Sequence, residues 1–112
     1  MTMLKDNVVK TCITALAGGA NSASTPTLDG NVCVIATCAT LNDSVRLPAG
    51  MRAGTIVRAR NNGAASANVF PPAGGAINGG SADAAVALAA AKAADYVCTS
   101  NDGKTWFSLA GA

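Results

Sequence analysis

The side chains that could act as nucleophiles are serines, threonines and four cysteines, Cys12, Cys33, Cys38 and Cys98, but the chain has no histidine, glutamate or glutamine. A hydroxyl or thiol needs a neighbouring base to activate it. Most acid–base and metal chemistry draws on histidine or glutamate. All the acidic residues are aspartates, and Asp29, Asp43, Asp83, Asp95 and Asp102 fall in or beside turn signals, where an aspartate caps backbone amides. A calcium loop needs closely alternating acids, and none occurs. Asn61-Asn62-Gly63 and Gly74-Gly75 lack the following Lys-Ser/Thr of a phosphate cradle. The expectation is a protein that is not an enzyme, with no cofactor and no metal.

The four cysteines allow three pairings. Cys33 and Cys38 are five apart, which on a strand puts them on opposite faces, a poor spacing for one metal. They read as small buried hydrophobes kept reduced. The N-terminus is unlike a signal peptide, since Asp6 and Lys10 interrupt the apolar run. No stretch approaches the ~18 apolar residues of a membrane span. The chain reads as cytoplasmically made, with no membrane partner.

The arginines offer a different kind of chemistry. All four, Arg46, Arg52, Arg58 and Arg60, lie in one window that holds no acid from Ser44 to Arg60. Strand alternation over Thr55–Arg60 places Thr55, Val57 and Ala59 on one face and Ile56, Arg58 and Arg60 on the other. An isoleucine between arginines suits a protein contact, where arginine is enriched; it also suits a half-exposed strand with one tolerated apolar residue. The candidate partner interface is therefore Arg46, Arg52, Ile56, Arg58 and Arg60. Net charge is only +2, and Phe70, Tyr96, Trp106 and Phe107 fall on expected strands as core residues. Specific nucleic-acid binding is not expected.

Composition bounds the scaffold. The chain has 112 residues, 12% charged and 4% aromatic, where a globular domain usually carries about a quarter charged residues. Alanine and glycine fill about a third of it. A domain of this size buries roughly two-thirds of its unfolded surface, and alanine adds far less apolar area than leucine or phenylalanine. So thin a core implies burial against other chains.

Turn signals recur at short spacing, at Gly18-Gly19, Asp29-Gly30, Asn42-Asp43, Pro48 to Gly50, Asn62-Gly63, Pro71 to Gly75, Gly79-Gly80 and Asp102-Gly103. Between them lie eight short β-prone runs: Val8–Leu16, Val32–Ala39, Ser44–Leu47, Thr55–Arg60, Ala67–Phe70, Ala84–Leu88, Asp95–Thr99 and Lys104–Leu109. This is the pattern of an all-β protein, a small antiparallel sandwich or barrel with little or no helix. Asn62-Gly63 and Asp102-Gly103 are hairpin dipeptides. Residues 1–30 read as an N-terminal strand or arm and 31–112 as the β domain. Within it, 45–63 is echoed by 86–103: Val45-Arg-Leu-Pro-Ala-Gly50 aligns with Val86-Ala-Leu-Ala-Ala-Ala91 at an offset of 41.

Two segments pull towards helix. Residues 81–94 are alanine-rich, and alanine is the best helix former. Its echo holds Pro48 and Gly50, which a helix interior rejects, so strand plus loop is expected. Leu4, Val8, Cys12 and Leu16 recur every four residues, but Val, Thr and Ile favour a strand there.

From Asp43 onward the succession DSVRLPAG, GTIVRARNNGAASANVFPPAGGAING and ADAAVALAAAKAADYVCTSNDGKTWFSL resembles a module of small virion structural proteins of tailed bacteriophages. Members share a strand ending in Asn-x-Gly, a strand closing in Val-Phe-Pro or Val-Tyr-Pro, a glycine-rich loop with Ile-Asn, and an aromatic strand after a Cys-containing one. The resemblance covers 43–109. It implies a non-enzymatic component of the virion, made in the host cytoplasm. The expected role is a capsid decoration (cement) protein that oligomerises, with a trimer favoured, on the major capsid protein or another virion protein. A head-fibre, tail or receptor-binding component is the alternative.

Overall fold

In a computed structural model, which describes residues 9–19, 21, 22 and 24–110, nine strands form two sheets. They are β1 (Val9–Thr14), β2 (Val32–Thr37), β3 (Asp43–Arg46), β4 (Ile56–Asn61), β5 (Ala67–Phe70), β6 (Ala76–Ile77), β7 (Val86–Leu88), β8 (Ala93–Cys98) and β9 (Thr105–Ala110). The large sheet runs β1-β2-β4-β8-β9-β6 and the small one β3-β5-β7. No helix occurs among the described residues, so none there is long and apolar enough to cross a membrane. The all-β class and the short strands are as the turn spacing implies. One strand, β6, is additional.

From β2 to β8 successive strands alternate between the two sheets. A strand that leaves one sheet, crosses to the other and returns can come back in its original direction, which a tight hairpin cannot do. Hence the expected antiparallel arrangement is amended. β1·β2, β2·β4, β3·β5 and β6·β9 are parallel ladders, while β4·β8, β5·β7 and β8·β9 are antiparallel.

The same alternation corrects the hairpin reading at Asn62-Gly63, because β4 and β5 lie in different sheets. Gly63 serves another purpose: a Cβ there would collide with the Cys38 backbone nitrogen and Cβ. Asp102-Gly103 does lie in a hairpin connection, between β8 and β9. Gly103 has φ +77, and Asp102 accepts hydrogen bonds from Ser100 Oγ at 2.5 Å and from the Lys104 amide at 3.0 Å.

Residues 81–94 form a turn, β7, a second turn and the start of β8. Asp83 and Ala91 have φ of 63° and 62°, a left-handed conformation that no helix interior adopts. Ala91 is the echo of Gly50, whose φ is 74°. The two echoed segments share an order: a small-sheet strand (β3, β7), a left-handed turn residue, then a large-sheet strand (β4, β8). They part after that, since β5 joins the small sheet and β9 the large one.

One apolar cluster joins the sheets, with Leu28, Ile35, Val45, Leu47, Val57, Val69, Tyr96 and Trp106 almost wholly enclosed. The described residues before 31 pack with this body. β1 pairs with β2, Leu16 and Thr27 make bridges to Ser44 and Arg46, and Leu28 is buried. Leu4 and Val8, with the first residue of the expected strand, lie outside the described residues.

Buried Asn61 ties the layers together. Its Nδ2 donates to the carbonyls of Ala65 (2.8 Å) and Leu88 (3.0 Å), and its Oδ1 accepts from the Gly63 amide (2.9 Å). The buried amide thus has partners on both its donor and acceptor sides, as burial requires.

Candidate functional site

Strand β4 alternates strictly: Ile56, Arg58 and Arg60 are exposed, and Val57, Ala59 and Asn61 are buried. Register carries this outward face across the sheet, because side chains of directly paired residues share a face. Arg58 pairs with Val32 on one side and Asp95 on the other; Val32 pairs with Val9, and Asp95 with Leu109. One row therefore reads Val9, Val32, Arg58, Asp95, Leu109. The neighbouring row holds Ile56, Val97 and Phe107, and the row on the other side holds Val34, Arg60 and Ala93.

This face holds most of the misplaced apolar surface. Val9 (57% exposed), Val32 (39%), Ile56 (41%), Phe107 (43%) and Leu109 (62%) all stand on it, and among the described residues the one other large exposed hydrophobe is Leu41. Scattered apolar residues on a surface are ordinary, whereas a contiguous group signals a contact surface. Charge on the face is sparse: Arg58, Arg60 and Asp95. Arg58 Nε lies 3.5 Å from Asp95 Oδ1, an exposed pair that adds little to stability. Arg60 Nε donates to Asn62 Oδ1 at 2.6 Å.

Between Asn31, Val32, Ile56 and Arg58 the face dips into a shallow depression of about 160 Å³. It lies where β2 begins: Val32, the first residue of that strand, pairs with Arg58, and Ile56 opens β4 two residues earlier.

Of the five candidate interface residues, the fold gathers Ile56, Arg58 and Arg60 and leaves two elsewhere. Arg46 lies on β3 in the small sheet, where Nε donates to Thr27 Oγ1 (3.4 Å) and Nη1 to the Ser22 carbonyl (3.3 Å). It fastens the segment before Leu28. Arg52 sits in the exposed loop between β3 and β4. The arginine window spans a sheet crossing, so nearness in sequence does not become nearness in space.

Phe107 corrects the expectation that the four aromatics pack inside. Tyr96 and Trp106 are buried and Phe70 is half-buried, but adjacent strand residues face opposite ways, so Trp106 inside puts Phe107 outside. Trp106 donates its indole N–H to the Gly103 carbonyl at 2.9 Å. Alternation within β9 alone carried that signal. The contributions of Val9, Val32, Asp95 and Leu109 needed the register.

All four thiols are free; Cys12 is exposed and the others buried. Cys33 and Cys38 are both buried, not on opposite faces, because β2 ends at Thr37 and the alternation breaks there. Burial pushes the Cys33, Cys38 and Cys98 thiols up from their ordinary value, opposite to the depressed pKa of a reactive thiolate. Burial also raises the Tyr96 phenol. Asp102 is held below the ordinary carboxylate value by the Ser100 hydroxyl and then the Lys104 amide. Among the described residues no three His, Cys, Asp or Glu side chains gather as a metal site.

Comparison of the chain with protein-family models, with curated proteins and with solved structures gave no match.

Proposed function

We propose that this chain is a non-enzymatic structural component of a bacteriophage particle: a capsid decoration protein that associates with copies of itself and stabilises the head shell. The observation that carries this reading is the outer face of the large sheet, where five large apolar side chains and two arginines stand on strands. Such a face is suited to burial against another protein surface, with arginine and aromatic side chains as its anchors. The resemblance of 43–109 to small virion proteins supplies the particle. Burial repeated at many sites would hold a shell together through multivalency even if each contact were weak.

The test is copy number in purified particles by quantitative gel densitometry, joined to binding of the free protein to undecorated shells. Hundreds of copies and saturable binding support decoration. A few copies per particle, with binding to host cells, would move the chain to a fibre or adhesion role, and absence from particles would end the reading.

A further inference from the structure

The outer face carries a projecting ring, Phe107, and a depression of about 160 Å³ beside Ile56. It also carries one acid, Asp95, directly paired with Arg58. A cavity of about 150 Å³ accepts a benzene ring, so the depression is of a size to hold the phenyl group. The depression, between β2 and β4, spans the row of Ile56, to which Phe107 on β9 belongs, and the adjoining row of Val32 and Arg58; ring and depression stand on opposite sides of the β4·β8 seam.

Rotation by a half-turn about an axis parallel to the strands, above the β4·β8 seam, brings a second copy face to face with the first. It sets β4 over the partner's β8 and β2 over the partner's β9, keeping each row in place. Phe107 then stands over the depression, Arg58 over Asp95, Val32 over Leu109, and Arg60 over the uncharged Ala93. No like charges are placed opposite each other. A face that holds both halves of each contact is self-complementary, which is the requirement of an isologous two-fold interface. Two sheets stacked in this way form the aligned packing found in sandwiches, about 10 Å apart.

We propose that the occupant of this face is a second copy of the same chain, related by that two-fold axis, with Phe107 of each copy seated beside Ile56 of the other and Arg58 of each paired with Asp95 of the other. The inference rests on reading the face as an assembly surface, and not on the particle it belongs to. Strands about 4.8 Å apart and six residues long give a footprint on the order of 500 Å² per copy. About 1,000 Å² for the pair meets the lower bound for a specific contact, so the pair dissociates on dilution. The resemblance implies a trimer; this face builds a pair.

The experiment is sedimentation velocity over a concentration series on the wild type, Arg58→Asp, Asp95→Arg and an equimolar mixture of the two variants. Each variant alone places like charges across the axis and associates about ten-fold or more weakly than the wild type. The mixture restores both contacts. In a mixed pair the introduced aspartate of one chain faces the introduced arginine of the other, and the native Asp95 of the first faces the native Arg58 of the second. Association recovers although each chain has lost its internal ion pair. Phe107→Ala, with no charge change, weakens association about ten-fold while its circular dichroism and melting stay those of the wild type. A wild type that stays monomeric throughout, or a mixture no better than its components, overturns the pair. A monomer that still occupies shells would overturn the pair alone, and a pair that never binds shells would leave it standing and remove the decoration role.

Discussion

The Asn61 side chain reaches from the large sheet to the small one, donating from Nδ2 to the Leu88 carbonyl at 3.0 Å. The same amide holds the Ala65 carbonyl and the Gly63 amide, so one buried side chain serves the turn after β4 and the end of β7. Removing it leaves three backbone groups without their partner, and an unsatisfied buried group costs about 1–3 kcal/mol. Asn61→Ala is expected to lower unfolding free energy by about 3 kcal/mol or more, measured by urea titration with an unchanged m-value.

Two glycines separate lack of space from backbone conformation. Gly63 has an ordinary φ, but a Cβ would run into the Cys38 backbone and Cβ atoms. Gly50 has φ +74 with nothing within 4 Å. Gly63→Ala should therefore reduce stability by more than about 3 kcal/mol, and Gly50→Ala by about 1–2 kcal/mol. Equal losses in thermal unfolding would contradict the close approach at Cys38.

Ala91 offers the converse substitution. It holds φ 62° at the place corresponding to Gly50, and an L-residue is strained there. Ala91→Gly should raise stability, by up to about 1 kcal/mol after the greater freedom of glycine in the unfolded chain is counted. Ala94→Gly, on strand β8, should lower it. Differential scanning calorimetry of the two variants reads the contrast.

Three buried thiols and the Tyr96 phenol have raised pKa values in the folded state, chiefly through desolvation. The unfolded chain therefore releases protons first as pH rises. Stability from these groups is fully present below the ordinary thiol value of 9.0 and declines as pH climbs above it. Urea midpoints should hold up to about pH 8 and fall beyond about pH 9. In the folded protein, iodoacetamide should label Cys12 rapidly and the other three only after unfolding, as mass spectrometry of quenched samples would report.

Charge reversal at Arg58 and Arg60 tests the face as an assembly surface. Both side chains point outward from β4, and exposed substitutions usually alter stability by within about 0.5 kcal/mol. Arg58→Glu with Arg60→Glu should weaken shell binding or assembly while melting stays unchanged. Unaltered occupancy on purified shells together with unaltered self-association would remove this face from the account. Arg46→Glu should do the opposite, lowering stability through the lost Thr27 and Ser22 contacts with little effect on binding.

Local chemistry settled much of this protein in advance. Turn residues and β-branched runs place the strands close to where they lie, β4 alternates as its letters imply, and Pro48 and Gly50 in the echo argue correctly against a helix at 81–94. Pairing is another matter, because a strand's composition does not say which strand lies beside it or in which sheet. The crossings between layers let β2·β4 and β3·β5 run parallel and part Arg46 from Arg58, and the ladders of the large sheet bring Val9, Val32, Asp95, Phe107 and Leu109 onto one surface. Alternation along a strand is a property of the backbone, legible in a few residues; the identity of a neighbour depends on contacts distant in sequence, which only the packed core decides.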